Sequence, residues 1–254
     1  MLKSRSQAAF TLIELLVTIA IIGILLAITL PVLSGAARRS RELACLANIR
    51  EANTTATAWS YEHRDLPPHF RTSPYHANSL GVPSMQMQIG DVTLTQPYFD
   101  QVNLWLRALM PAGAEPPREL TCTGLDIDRY SNNGSNLHVP PSYYLSSALL
   151  ADAAVFTPET MSDYAPSMFT PQALTKVAHP SSKSYLSEQT VAHFDGELRA
   201  TTELATPEAP VSFIDGHASI MSFAAAIHSP IPADPSSSRA FLHTVRGVLG
   251  ADVP

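Results

Sequence analysis

Apolar side chains are concentrated near the front of the chain. Residues 15–30 contain only three positions that are not strongly apolar, Thr18, Gly23 and Thr29, and the apolar run as a whole covers residues 10–33. The run shows no alternation of period two and contains a single proline, Pro31, so it predicts one helix. At about 1.5 Å per residue, residues 10–33 reach roughly 36 Å, enough to cross a hydrocarbon core of about 30 Å with some tilt. Further on, Leu43, Leu46, Ile49, Ala56 and Trp59 recur at helical spacing, which predicts that the helix continues over residues 34–62 with one face packed on a globular body. Pro31 removes one donor from the helical ladder and predicts a kink or loosened turn between the two parts.

Past Tyr61 the pattern shortens. Asp65-Leu66-Pro67-Pro68 ends the helix and, with Pro74, Pro83 and Pro97, opens a loop-rich region with one short strand at residues 92–95. Residues 98–110 place Val102, Leu106 and Leu109 on one stripe and predict a short helix closed by Pro111. Residues 183–190 and 211–223 read as strands, the second folded into a hairpin at Asp215-Gly216, a dipeptide suited to a type I′ turn. His193-Phe194-Asp195-Gly196 has the chemistry of another turn. Residues 137–144 and 148–156 fit strand, helix or loop equally well. Behind Ser236-Ser237-Ser238, residues 240–249 predict a C-terminal helix that presents Phe241, Val245 and Val248 to the core. The fold class is α+β: a long N-terminal helix packed on a small antiparallel sheet with long loops. The segments are a leader at 1–9, a membrane helix at 10–33, its amphipathic continuation at 34–62 and a body at 63–254.

Composition narrows the function. With 254 residues, 45% hydrophobic and 15% charged, the chain is neither disordered nor collagen-like. Sixteen Lys and Arg against 22 Asp and Glu leave a net charge of −6, which excludes a broad electrostatic grip on nucleic acid. The sequence has no Gly-x-Ser-x-Gly elbow, P-loop, dinucleotide fingerprint, His-Glu-x-x-His pair or Cys-x-x-Cys pair, so no familiar pattern organises a nucleophile, a phosphate or a metal. A non-enzymatic chain without a cofactor is the expectation. The rival reading is a membrane-anchored exported enzyme or ligand-binding protein with its pocket in the proline-rich middle. One residue stands against its surroundings: Glu14, an acid inside the apolar run, costs about 2.5 to 3.5 kcal/mol on insertion scales unless something partners it.

Phe10-Thr11-Leu12-Ile13-Glu14-Leu15-Leu16-Val17, behind a leader carrying Lys3 and Arg5 and ahead of Pro31, resembles the prepilin N-terminus of type IV pilins and type II secretion pseudopilins. The resemblance covers about 50 residues. It implies that a membrane prepilin peptidase removes the leader between Ala9 and Phe10 and that the new N-terminus is methylated. The family usually has glycine before the cleavage point, where this chain has Ala9. The resemblance also gives Glu14 a role: in a filament it would face the free amine of Phe10 in a neighbouring subunit and set the axial register. Implied partners are the prepilin peptidase, other pilin or pseudopilin subunits, the inner membrane and the filament assembly platform. The implied location is a single-pass inner-membrane protein with a periplasmic body, then a filament. Two plainer readings compete, a simple anchor with Glu14 near the interface and a secretory signal cut near Ser34-Gly35-Ala36. Phe213-Ile214-Asp215-Gly216-His217, with Cys45-Leu46-Ala47-Asn48-Ile49-Arg50, further resembles large pilin-like proteins of planctomycete and verrucomicrobial bacteria, which carry an Asp-Gly-His hairpin near the C-terminus. The size of the body leans toward a minor or specialised subunit.

Two side-chain groups have chemistry of their own. Cys45 and Cys122, on what should be an oxidising exported side, are either a disulfide closing a span of 77 residues or two separate buried thiols. Asp126, Asp128 and Asn132 place oxygen ligands on one glycine-containing stretch, a weak calcium candidate that matches no EF-hand spacing.

Overall fold

Helix α1 runs unbroken from Leu12 to Glu62, with Pro31 inside it. The structure, a computed structural model, describes residues 11–70, 76–77, 83–89, 92–110, 114, 117, 120, 143–157, 165–188, 190–191, 199–200, 208–227, 241 and 244–254. The chain divides into two compact units, residues 1–41 and 42–254. The helix therefore starts in one unit and ends in the other. The proline denies a hydrogen bond to the Ala27 carbonyl, and helical structure continues on both sides of it.

In the second unit, one stripe of α1 enters the core: Cys45, Ile49, Ala52, Ala56 and Ser60 are buried, with Asn53 beside them. The steps of three and four residues are those of a helix with one dry face. Leu43, expected on that face, is instead 59% exposed, and Trp59 is half-buried. The small residues Ala52 and Ala56, rather than the large ones, let the helix approach the sheet closely. The helix ends where Arg64 and Asp65 take left-handed backbone angles, φ 61° and 62°.

The strands follow in chain order: β1 (His76–Ala77), β2 (Pro83–Ile89), β3 (Val92–Pro97), β4 (Tyr143–Leu145), β5 (Ser184–Glu188), β6 (Thr190–Val191), β7 (Arg199–Ala200), β8 (Glu208–Phe213) and β9 (Ala218–Ser222). The main sheet has the order β4-β5-β8-β9, and every neighbouring pair is antiparallel. Strands β1, β2 and β3 form a separate meander, and β6 pairs with β7. The α+β expectation of a long helix and a small antiparallel sheet is met. The stripe at residues 98–110 becomes a 3₁₀ segment, Tyr98–Asn103, followed by α2 (Trp105–Leu109), with Val102 and Leu106 buried as expected. Within the ambiguous stretches, the described residues form β4 and the 3₁₀ turns Ser147–Leu149 and Ala153–Phe156. Tyr98, Phe99, Phe156 and Phe169 interlock there, with ring centroids 5.3 to 5.9 Å apart.

Two local expectations need correction. Asp215-Gly216 does turn the β8–β9 hairpin, but not as a type I′ turn, which requires φ > 0 at both central residues. Only Gly216 has it, at φ 91°. Its N–H donates to Phe213 O at 3.0 Å and the Phe213 N–H donates to His217 O at 2.9 Å, the pattern of a three-residue loop with a glycine bulge. Gly216→Ala is therefore expected to lower stability by about 1 kcal/mol through backbone strain alone, since a Cβ there meets nothing within 4 Å. A thermal melt of the detergent-solubilised chain reads this out. The second correction concerns the C-terminus. No regular helix spans 240–249, because Phe241 and Arg246 take φ of 64° and 66°, leaving one 3₁₀ turn at Gly247–Leu249. Phe241 and Val248 are nonetheless buried, so the apolar pattern marks the core without the helix.

Candidate functional site

The N-terminal unit is a helix with no covering. Large apolar residues from Leu12 to Leu33 are between 49% and 79% exposed, a surface incompatible with water and suited to lipid or to other helices. The helix is long and apolar enough to cross a membrane by length and composition. Its polar side chains are satisfied locally. Thr18 donates to Leu15 O at 2.7 Å, Thr29 to Leu26 O at 3.3 Å and Ser34 to Pro31 O at 2.8 Å. Hydroxyls turned back onto their own helix cost little in hydrocarbon.

Glu14 occupies the third helical position, and its geometry is specific. The Thr11 backbone N–H and the Thr11 hydroxyl each donate to Glu14 Oε2 at 2.8 Å, while the Glu14 N–H donates to Thr11 Oγ1 at 3.3 Å. This reciprocal exchange is a capping box, and its Thr-x-x-Glu pattern is legible in Thr11-Leu12-Ile13-Glu14. The carboxylate also sits where the helix dipole favours negative charge. Thr11 is thus a site residue that the sequence reading passed over although the signal was present. The processing residues Ala9 and Phe10 lie outside the described residues.

The family model described as the prokaryotic N-terminal methylation motif matches residues 4–30, which include Ala9, Phe10, Thr11 and Glu14. The chain carries the N-terminal motif of a type IV pilin-like precursor. No curated protein and no solved structure matches it. The motif covers the apolar helix and its cap, so membrane anchoring followed by entry into a filament is the behaviour it indicates. It likewise points to a structural subunit handled by a prepilin peptidase and assembled with other pilin-type subunits.

In the precursor's body, α1 is tied to the sheet by polar contacts that its sequence did not advertise. Asn53 Nδ2 donates to Phe213 O at 2.8 Å, Arg50 Nη2 to Ala218 O at 3.1 Å and the Tyr143 hydroxyl to Cys45 O at 3.1 Å, while Ser60 Oγ and the Tyr185 hydroxyl lie 3.1 Å apart. Two of these fasten the helix to the two ends of the Asp-Gly-His turn. At that turn, His217 stacks on Phe213 with ring centroids 4.3 Å apart, and its Nδ1 lies 2.6 Å from Asp215 Oδ1. The histidine orients the turn.

Cys45 is buried and disulfide-bonded; the chain's other cysteine, Cys122, lies outside the described residues. The calcium candidates Asp126, Asp128 and Asn132 lie outside them too. Among the described residues, no three His, Cys, Asp or Glu side chains are grouped to hold a metal.

Glu188, fully buried on β5, faces Tyr143 across the β4–β5 ladder. Burial pushes its carboxyl well above the usual range, and the Tyr143 hydroxyl is pushed up by burial and by the Glu188 charge. A carboxyl raised in the folded state contributes stability that is full below its unfolded value and is lost as pH rises through the folded value. Glu188→Gln is accordingly expected to raise the melting midpoint at pH 8 by a few degrees and to leave it unchanged or lower at pH 4, as followed by circular dichroism.

Proposed function

We propose that the precursor is a subunit, minor or specialised, of a type IV pilus-like or type II secretion filament. A prepilin peptidase cuts it between Ala9 and Phe10 and methylates Phe10, and the mature helix enters the filament core from a single-pass position in the inner membrane with the body in the periplasm. The observation that carries this reading is Glu14: an acid held by a capping box at the head of an uncovered apolar helix, four residues from the new amine. An anchor or a secretory signal needs that acid only as a cap, whereas a helix packed among identical helices gains in addition from pairing it with a neighbour's amine.

The test is the mass and fragmentation spectrum of the N-terminal peptide from membrane-extracted protein. N-methylated Phe10 supports the proposal. An intact Met1 would mean an anchor, and a start near Ala37 would mean a released protein whose activity resides in the body. We further propose that the partner of Cys45 is Cys122. The bridge would be worth about 4 kcal/mol in the chain-entropy model. Non-reducing electrophoresis should then show faster migration than the reduced chain, and alkylation of the unfolded, unreduced protein should label neither cysteine.

A further inference from the structure

A second group of reactive side chains lies deep in the body, where filament assembly makes no use of it. Lys183, one of only three lysines in the chain, and Asp252, the third residue from the C-terminus, are both completely buried. Lys183 Nζ lies 3.5 Å from Asp252 Oδ1. The Ser184 N–H donates to Oδ2 at 2.7 Å, and the Thr244 hydroxyl donates to Oδ1. The tail is further fixed by Asp252 N–H donating to Ser182 O and by Ile227 N–H donating to Asp252 O, each at 2.8 Å.

The protons in this cluster can be counted. Ser184 Oγ lies 2.7 Å from two oxygens, Phe241 O and Asp252 Oδ2. Both oxygens accept, so the single hydroxyl proton is shared between them. A proton passing from Lys183 to Asp252 inside this dry cluster gives a free amine beside a carboxylic acid. A lysine facing a neutral acid in a dry interior is stable only as the free amine. Burial acts in the same sense on both groups, raising Asp252 and lowering Lys183. An ion pair would be inert, whereas a neutral amine beside a neutral acid is the reactant pair of amide formation.

We propose that Lys183 and Asp252 condense to an isopeptide bond that welds the C-terminal tail to the strand beginning at Ser184. The Lys183 amine attacks Asp252 Cγ while the Thr244 hydroxyl polarises Oδ1, which remains as the carbonyl oxygen. The Nζ–Cγ bond forms and the Cγ–Oδ2 bond breaks. One amine proton passes to the protonated Oδ2, which leaves as water. No oxidant, metal or second substrate is consumed. Because the site is dry, the water that departs is not replaced and hydrolysis is blocked.

Mass spectrometry of the purified, detergent-solubilised full chain tests this. The intact mass should fall below that of the processed sequence by one water, beyond the change due to the disulfide. After denaturation, reduction and trypsin, residues 177–199 and 247–254 should be recovered as one branched peptide uncut at Lys183, and Lys183→Arg should return them as separate linear peptides. Linear peptides from the wild-type protein, with cleavage after Lys183, overturn the proposal. So does a loss of water confined to residues 247–254, which would mean cyclisation of Asp252 onto its own backbone. Both of these outcomes are read from the wild-type chain, so neither depends on how well the variant folds.

Discussion

Glu14→Ala is expected to insert into the membrane at least as well as the wild type and to fail in filament assembly. Removing the acid relieves an insertion cost of about 2.5 to 3.5 kcal/mol, so the membrane-bound pool should not shrink. Within a filament the same change would strand the Phe10 amine of a neighbour in an apolar environment. Losing one partner of a buried pair costs about 3 to 5 kcal/mol, a factor of about 100 or more in the constant for adding a subunit. The capping box of Thr11 and Glu14 adds a smaller term, about 1 kcal/mol of helix-start stability. Thr11→Val separates the two, because it weakens the cap while leaving the charge, and should reduce assembly only slightly. Quantifying sheared filaments against the membrane fraction measures both. Filaments of Glu14→Ala at wild-type yield would show that the acid caps the helix and nothing more.

Asp252→Ala is expected to unfold the body. It removes the carboxyl that faces the Lys183 amine and strips the Ser184 N–H and the Thr244 hydroxyl of their shared acceptor. Each buried donor left without its acceptor costs about 1 to 3 kcal/mol, and the three together take a large share of the roughly 5 to 15 kcal/mol of an ordinary domain. Lys183→Met should be milder, since it replaces the amine with an apolar chain of similar length and leaves Asp252 its hydroxyl and amide donors. Comparing chemical denaturation midpoints of the two variants checks the order. A midpoint for Asp252→Ala equal to that of the wild type would show that the cluster is not dry in solution.

The same contrast between local and distant signals explains what could be read beforehand. The apolar run and its acid are local patterns, and the long helix, the antiparallel sheet and the Asp-Gly turn followed from residues close in sequence. The type of that turn did not, because the number of positive φ angles is decided by how β8 and β9 pair rather than by the dipeptide. The C-terminal helix was misread for a related reason: Phe241 and Val248 carry a helical apolar spacing, but Thr244 and Asp252 commit the backbone to the buried cluster instead. Lys183 and Asp252 stand 69 residues apart and gain meaning only when folded together. Thr11 is the exception, since Thr-x-x-Glu could have been recognised from the chain alone.

The inward-turned hydroxyls of Thr18, Thr29 and Ser34 have a consequence for how such rods fit together. With these polar groups along the shaft occupied by their own backbone, the lateral surface is chemically uniform grease, dented only at Gly23 and Gly35, where no atom lies within 4 Å of the place a side chain would fill. Two such rods can slide past each other by a turn with little change in energy. A stack built from them would behave as a low-friction bearing with a single detent at the tip, able to be pushed along its axis without losing its grip.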